Sequence, residues 1–181
     1  MGKDDLPGSP IEIDSEAGVI QEKPLESRVM TISAQGWANV KVELDSTFMS
    51  GAAIIMQRMG YSYGRYIARI AKQKAQKTKK EVNSKSVFQV ILDAAKAHGW
   101  GQFSLNSGNF ETGVASIVVK DCFFCLFDKK GTVPRCNYLV GVVGGVADEL
   151  TGFSHRVGEG RCAAKDDGLC EVKVERVTAA S

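Results

Sequence analysis

No apolar run in this chain approaches the roughly 18 residues that a membrane-spanning helix needs. Its first residues lack a basic start followed by an apolar core, so no secretory leader is expected and a cytoplasmic location is the default. There is no internal repeat, no phosphate-binding glycine loop, no dinucleotide fingerprint and nothing resembling a flavin site. A reductase would therefore lack a recognisable electron donor. Proline is scarce, and three of the four prolines (Pro7, Pro10 and Pro24) fall in the first 27 residues. Cysteine numbers five, an odd count that argues against a fully paired disulfide framework. In a reducing compartment such thiols are buried, metal-bound or reactive.

What remains is an ordinary globular composition, 44% hydrophobic and 24% charged over 181 residues, enough for one domain and a real core. The net charge of +2 hides an asymmetry. Residues 1–27 carry Asp4, Asp5, Glu12, Asp14, Glu16, Glu22 and Glu26 against Lys3 and Lys23, show no periodicity, and read as a flexible acidic tail. Residues 65–85 carry Arg65, Arg69, Lys72, Lys74, Lys77, Lys79, Lys80 and Lys85 against Glu81. A basic run can meet nucleic acid or an anionic membrane, but it more often is the solvated end of a helix. No reading head accompanies it, so nucleic acid is not an expected partner.

A single domain is expected over residues 28–177, with residues 178–181 as a short tail. Val29 to Leu44 reads as a β-hairpin or two short strands, from the alternation of Val40, Val42 and Leu44. A long helix then starts near Asp45-Ser46-Thr47, with the stripe Phe48, Ala52, Ile55, Met59, Tyr63, Tyr66 and Ile70. Gly51, Gly60 and Gly64 weaken that helix and point to close approach of another backbone. A second helix runs from Ser84 to His98 and stops at Gly99. His98 belongs to that helix end and is not read as a metal ligand. Strands follow over Trp100–Leu105 and Gly113–Lys120, the latter continuing through Asp121–Phe127. A third helix begins near Pro134 and ends at Gly152, with a nearly bare face of Gly141, Gly144 and Gly145. Two last strands, Ser154–Ala163 and Leu169–Val177, complete an α+β fold with a mainly antiparallel sheet closed by a C-terminal hairpin.

The chemistry gathers near that hairpin. Cys162 and Cys170 flank Lys165-Asp166-Asp167-Gly168, and a hairpin centred on Asp166 puts them opposite each other. A two-residue turn at Asp167-Gly168 would instead pair Cys170 with Lys165, so the register stays open. Cys136 lies at a helix start, which favours a thiolate. Glu159 joins this set only if a bulge, made easy by Gly158 and Gly160, reconciles its strand face with that of Cys162. His155 is the substitute fourth ligand. Three or four such donors suit a closed zinc site, but on spacing alone burial of the thiols outweighs it. Cys122-x-x-Cys125 sits in aromatic, strand-like sequence that would send its side chains to opposite faces, which favours core burial over a redox motif.

The segments Asp121-Cys122-Phe123-Phe124, Pro134 through Gly141 with Gly144-Gly145, Glu159-x-x-Cys162, Cys170 through Val174 and the turn Gly99-Trp100-Gly101 resemble the 4-vinyl-reductase domain family, also described as archaeal hydrocarbon-binding proteins. The resemblance covers about residues 40–177 and is strongest from 121 onward. It extends to the sensory domains of phenol-responsive activators, where similar residues bind a structural zinc ion. The ligand set implied here is Cys136, Glu159, Cys162 and Cys170, which tips the balance toward zinc as cofactor. The last turn departs from many relatives, which have Gly-Asp where this chain has Asp166-Asp167 before Gly168.

The resemblance implies a small-molecule sensor or carrier for an apolar, aromatic or acyl ligand. Its pocket would draw on Trp100, Phe103, Phe123, Phe124, Tyr138 and Phe153, each of which also suits plain core packing. A homodimer is the expected assembly. The family also resembles subunits of the TRAPP tethering complex, so an assembly role with a protein partner is the alternative reading. An accessory protein of vinyl tetrapyrrole reduction ranks third, and the chain leans away from being an enzyme.

Overall fold

A computed structural model describes residues 11–23, 25–77, 83–109, 114–128 and 134–177. Three short strands, β1 (Ile11–Asp14), β2 (Val19–Glu22) and β3 (Ser27–Val29), form an antiparallel sheet in that order. This corrects the expectation of a flexible tail over residues 1–27, of which residues 1–10 lie outside the described part. The apolar residues do alternate, Ile13 pairing with Ile20, but intervening acids disguise them. Asp14 Oδ1 closes the β1–β2 turn by accepting from the backbone N–H groups of Glu16 and Ala17, at 3.1 and 2.9 Å. β3 crosses the boundary expected at residue 28, and Leu25 and Glu22 are buried against the rest of the fold.

A second correction follows. Residues Ala34–Phe48 are a helix, α1, capped by Ser33, whose hydroxyl accepts from Gly36 N–H at 3.0 Å. Ala34, Trp37, Ala38, Lys41, Leu44 and Asp45 face inward at spacings of three and four, while Val40 and Val42 point out. A lysine at the centre of the inward stripe made the helical period illegible and left the outer valines as a false strand signal. Lys41 is tolerated there because its ammonium donates to Phe124 O (2.9 Å), Arg135 O (3.1 Å) and the Asp128 carboxylate.

The expected long helix is α2 (Gly51–Lys77), and Asp45-Ser46-Thr47 belongs to the end of α1 instead of its start. Its buried face is Ala52, Met56, Gly60, Gly64, Ile67, Ala68 and Ala71, and Phe48, Met59 and Tyr66 of the expected stripe are exposed. α3 (Ser84–Ala97) buries Val87, Phe88, Ile91, Leu92, Ala94 and Ala95 and is capped by Asn83, which accepts from Ser86 N–H at 2.8 Å. Then β4 (Gln102–Asn109) and β5 (Val114–Lys120) lead to a 3₁₀ turn at Phe123–Cys125, where continuation of the strand was expected. α4 (Asn137–Thr151), stopped by left-handed Gly152, precedes β6 (His155–Arg161) and β7 (Cys170–Arg176).

The second sheet runs β4-β5-β7-β6, and every neighbouring pair is antiparallel. α4 lies between this sheet and α2 and is buried along nearly its whole length. Its glycines explain how. A Cβ on Gly141 would come within 2.0 Å of Gln57 O, and one on Gly145 within 2.1 Å of Tyr61 O. Reciprocally, a Cβ on Gly60 would come within 2.0 Å of Tyr138 O, and one on Gly64 within 2.1 Å of Val142 O. Two helices that touch backbone to backbone gain dispersion and Cα–H···O contacts that any side chain would abolish.

Candidate metal centre and aromatic cleft

β6 and β7 are joined through a 3₁₀ turn at Ala163–Lys165, with Asp166 left-handed at φ 63°. Arg161 pairs with Glu171, so Cys162 and Cys170 meet at the next step inward, as a hairpin centred on Asp166 requires. Asp167 supports the turn by accepting from Cys162 N–H at 2.8 Å. The β6–β7 register slips between Glu159 and Arg161, which makes Gly160 the bulge residue. That bulge turns Glu159 to the side of Cys162. Cys136 stands at the N-cap of α4, and its N–H donates to Glu159 Oε2 at 3.0 Å. The donor atoms of Cys136, Glu159, Cys162 and Cys170 thereby lie within 4.8 Å of one another.

This arrangement fits a thiophilic divalent cation. Cys136 and Cys170 sulfurs are 3.5 Å apart, close to the edge of about 3.8 Å that a tetrahedron with metal–sulfur bonds of about 2.3 Å requires. Glu159 Oε1 is buried with no hydrogen-bond partner among the described residues, an oxygen left over after the backbone bond is made. Burial pushes the Glu159 carboxyl up, against hydrogen bonds from Cys162 and from the Cys136 amide that pull it down. Neighbouring sulfurs, Cys122 first, push the Cys136 and Cys170 thiols up, since crowded thiols resist ionising together. A cation reverses that logic. His155 is not part of the set. Its Nδ1 lies 2.9 Å from Asp148 Oδ1, at the opposite end of β6.

Sequence reasoning missed two residues here. Cys122 and Cys125 also face this centre, with Cys122 Sγ 3.7 Å from Cys136 Sγ and Cys125 Sγ 3.4 Å from Cys170 Sγ. On a strand they would have diverged, whereas the 3₁₀ turn returns to the same side every three residues. All five cysteines are buried and free. The C-x-x-C spacing itself was the available signal.

The same turn sends Phe123 and Phe124 the other way, into a cleft of about 420 Å³. Trp100 and Tyr138, as expected, line it too, together with Trp37, Tyr63, Tyr66, His98 and the strand residues Ile11, Ile20 and Val29. Phe103 instead packs on the core from β4, and Phe153 is exposed beneath the Arg176 guanidinium at 3.3 Å. The cleft's rings pack edge on: Trp37 to Tyr138 and Trp100 to Phe124 each have centroids 5.1 Å apart. Burial pushes the Tyr63 and Tyr138 phenols up to about 12, so both stay neutral hydroxyls. The indole N–H of Trp37 is buried and has no acceptor among the described residues. His98 Nε2 is 2.7 Å from Glu22 Oε2, which pins β2 to the end of α3 and closes one side of the cleft. Trp37 and the N-terminal strands were missed because both were assigned to the wrong element.

No sequence-family model matches the chain, and no curated protein matches it by sequence. Solved structures do match in fold. The phenol-responsive sensory domain of the transcription activator PoxR, solved with phenol, has a TM-score of 0.78 at 18% identity, over 92% of this chain and 85% of that one. A trafficking protein particle complex subunit 3 from Naegleria fowleri, covalently bound to palmitic acid, has a TM-score of 0.58 at 12% identity, over 80% and 93%. A vinyl-4-reductase family protein from Methanocaldococcus jannaschii has a TM-score of 0.54 at 12% identity, over 83% and 85%. The fold of this chain is thus the α+β fold that these proteins share, including the family that its motifs resemble. Among the described residues no helix is long and apolar enough to cross a membrane.

Proposed function

We propose that this chain is a small-molecule binding or sensing domain whose ligand, an apolar or aromatic molecule, occupies the cleft between the N-terminal sheet and helices α1 to α4. A structural zinc ion on Cys136, Glu159, Cys162 and Cys170 would stiffen the opposite side of the fold. Four protein donors leave no open position for water, so the ion's contribution is to folding and not to a reaction. The observation that carries the ligand reading is the Trp37 indole N–H, a buried donor without an acceptor among the described residues, in a cleft walled largely by aromatic rings. An orphaned buried donor costs about 1–3 kcal/mol, and a ligand oxygen would satisfy it. A hydroxylated aromatic ring supplies both the apolar face and that oxygen. The fold neighbours bound to phenol and to palmitic acid support the same class.

Both tryptophans of the chain, Trp37 and Trp100, line the cleft, so intrinsic fluorescence reports on it directly. Titration with phenol should quench that fluorescence saturably, and Trp37→Phe should weaken the affinity about three- to tenfold by removing one hydrogen bond. Palmitate is the second probe. If neither compound, at concentrations up to about 10 mM or to its solubility limit, alters the fluorescence or the melting temperature, the ligand reading is lost.

One further feature favours a homodimer. α1 buries only Lys41 fully and exposes Val40, Val42 and Phe48, and Met49, Ile54 and Met59 of the following segment are exposed as well. A dimer mass by light scattering, reduced to monomer by Val42→Glu with Phe48→Glu, tests that assembly.

A further inference from the structure

The cysteine centre holds more donors than one tetrahedral ion can use. Two sets of four lie within 4.8 Å internally: Cys136, Glu159, Cys162 and Cys170, and Cys122, Cys125, Cys136 and Cys170. They share Cys136 and Cys170, whose sulfurs are 3.5 Å apart. On one side of that shared edge stand Glu159 and Cys162, and on the other Cys122 and Cys125. Two tetrahedra joined along an edge need six donors, two of them bridging, and a thiolate can bridge because it keeps lone pairs after binding one metal. The second set is also dimensioned for a metal. Its sulfur contacts of 3.4, 3.5 and 3.7 Å approach the edge of about 3.8 Å set by metal–sulfur bonds of about 2.3 Å.

We infer that the site binds two divalent, sulfur-preferring ions of the zinc type, with Cys136 and Cys170 as bridges and Cys122 and Cys125 as terminal ligands of the second. The inference rests on the proposed zinc reading of the first set and adds a ligand pair that reading leaves idle. Charge balance permits it. Five thiolates and one carboxylate facing two divalent ions leave the same net charge as three thiolates and one carboxylate facing one. Loading the second ion displaces the thiol protons of Cys122 and Cys125 to solvent. The 3₁₀ turn supplies the chelate: Cys125 N–H donates to Cys122 O at 3.3 Å, which brings residues three apart to one side. The second ion ties this turn, and with it the cleft walls Phe123 and Phe124, to the β6–β7 hairpin.

The full chain, purified under reducing conditions and freed of loosely bound metal, is analysed for zinc by elemental analysis and native mass spectrometry. Two zinc ions per chain are expected, falling to one in Cys122→Ser with Cys125→Ser. Cadmium-113 exchanged into the native protein should give two resonances with mutual coupling through the shared sulfurs, a readout that needs no variant. One ion per chain in both proteins would overturn the second site while leaving the structural zinc standing. No ion in either would overturn both readings.

Discussion

The sulfur centre and the aromatic cleft are two sides of one short turn. Residues 122–125 direct Cys122 and Cys125 to the centre, and Phe123 and Phe124 to the cleft. On the first side, donor atoms converge within 4.8 Å and leave room only for an ion. On the second, rings pack edge on around about 420 Å³ of open space, with an indole N–H that has no acceptor among the described residues. One region is built to be closed, and the other to be filled. Stability should therefore depend chiefly on the centre and ligand affinity on the cleft.

Predictions that break or sharpen this contrast run from large to small. Cys162→Ser should have the largest effect: zinc is lost, the melting temperature falls steeply and chelation adds nothing further, because binding of the ion is coupled to folding. A melt unchanged from the parent protein would erase the contrast. Gly145→Ala, read by denaturant unfolding, should destabilise by about 1–3 kcal/mol or more, because its methyl would meet Tyr61 O and force α2 from α4. Lys41→Met should cost about 1–3 kcal/mol by taking their donor from Phe124 O and Arg135 O and leaving Asp128 only the Arg135 guanidinium at 4.0 Å. Since Lys41 links α1 to the shared turn, phenol affinity measured by fluorescence should fall in the same variant.

The smallest effect is a pH dependence at the cleft's rim. Burial alone would raise the Glu22 carboxyl, but hydrogen bonds from His98 and Ser27 and the charges of His98 and Lys74 hold it below its ordinary 4.5. A depressed carboxylate contributes stability that is complete above that value and is lost as pH falls through the folded one. Melts taken through about pH 4.5 and below should show a steeper acid decline in the parent protein than in Glu22→Gln.

Sequence pattern located α3, α4, β6 and β7 and the start of β5 within a few residues, but it ran β5 on through Phe127, where the 3₁₀ turn intervenes. It also asked for a bulge near Gly158 and Gly160, found at Gly160, and for close backbone approach at Gly51, Gly60 and Gly64, found at the last two but not at Gly51. It failed at α1, where Lys41 occupies the inward face, and at β1 and β2, where acids hide a short alternation. It failed again at Cys122 and Cys125, since a strand and a 3₁₀ turn send residues three apart to opposite and equal sides respectively.

Four donors of two types at α4 and the last hairpin, glycines spaced for helix contact and an α+β order are properties that neighbouring residues impose, and the sequence alone determined them. Which donors meet, which aromatic rings face a cavity and which polar atoms go unpaired depend on segments far apart in the chain, such as those of Cys122 and Cys136 or of Trp37 and Tyr138. Only the tertiary structure decided these, because burial, and the hydrogen bonds it demands, is set by what the rest of the chain brings alongside.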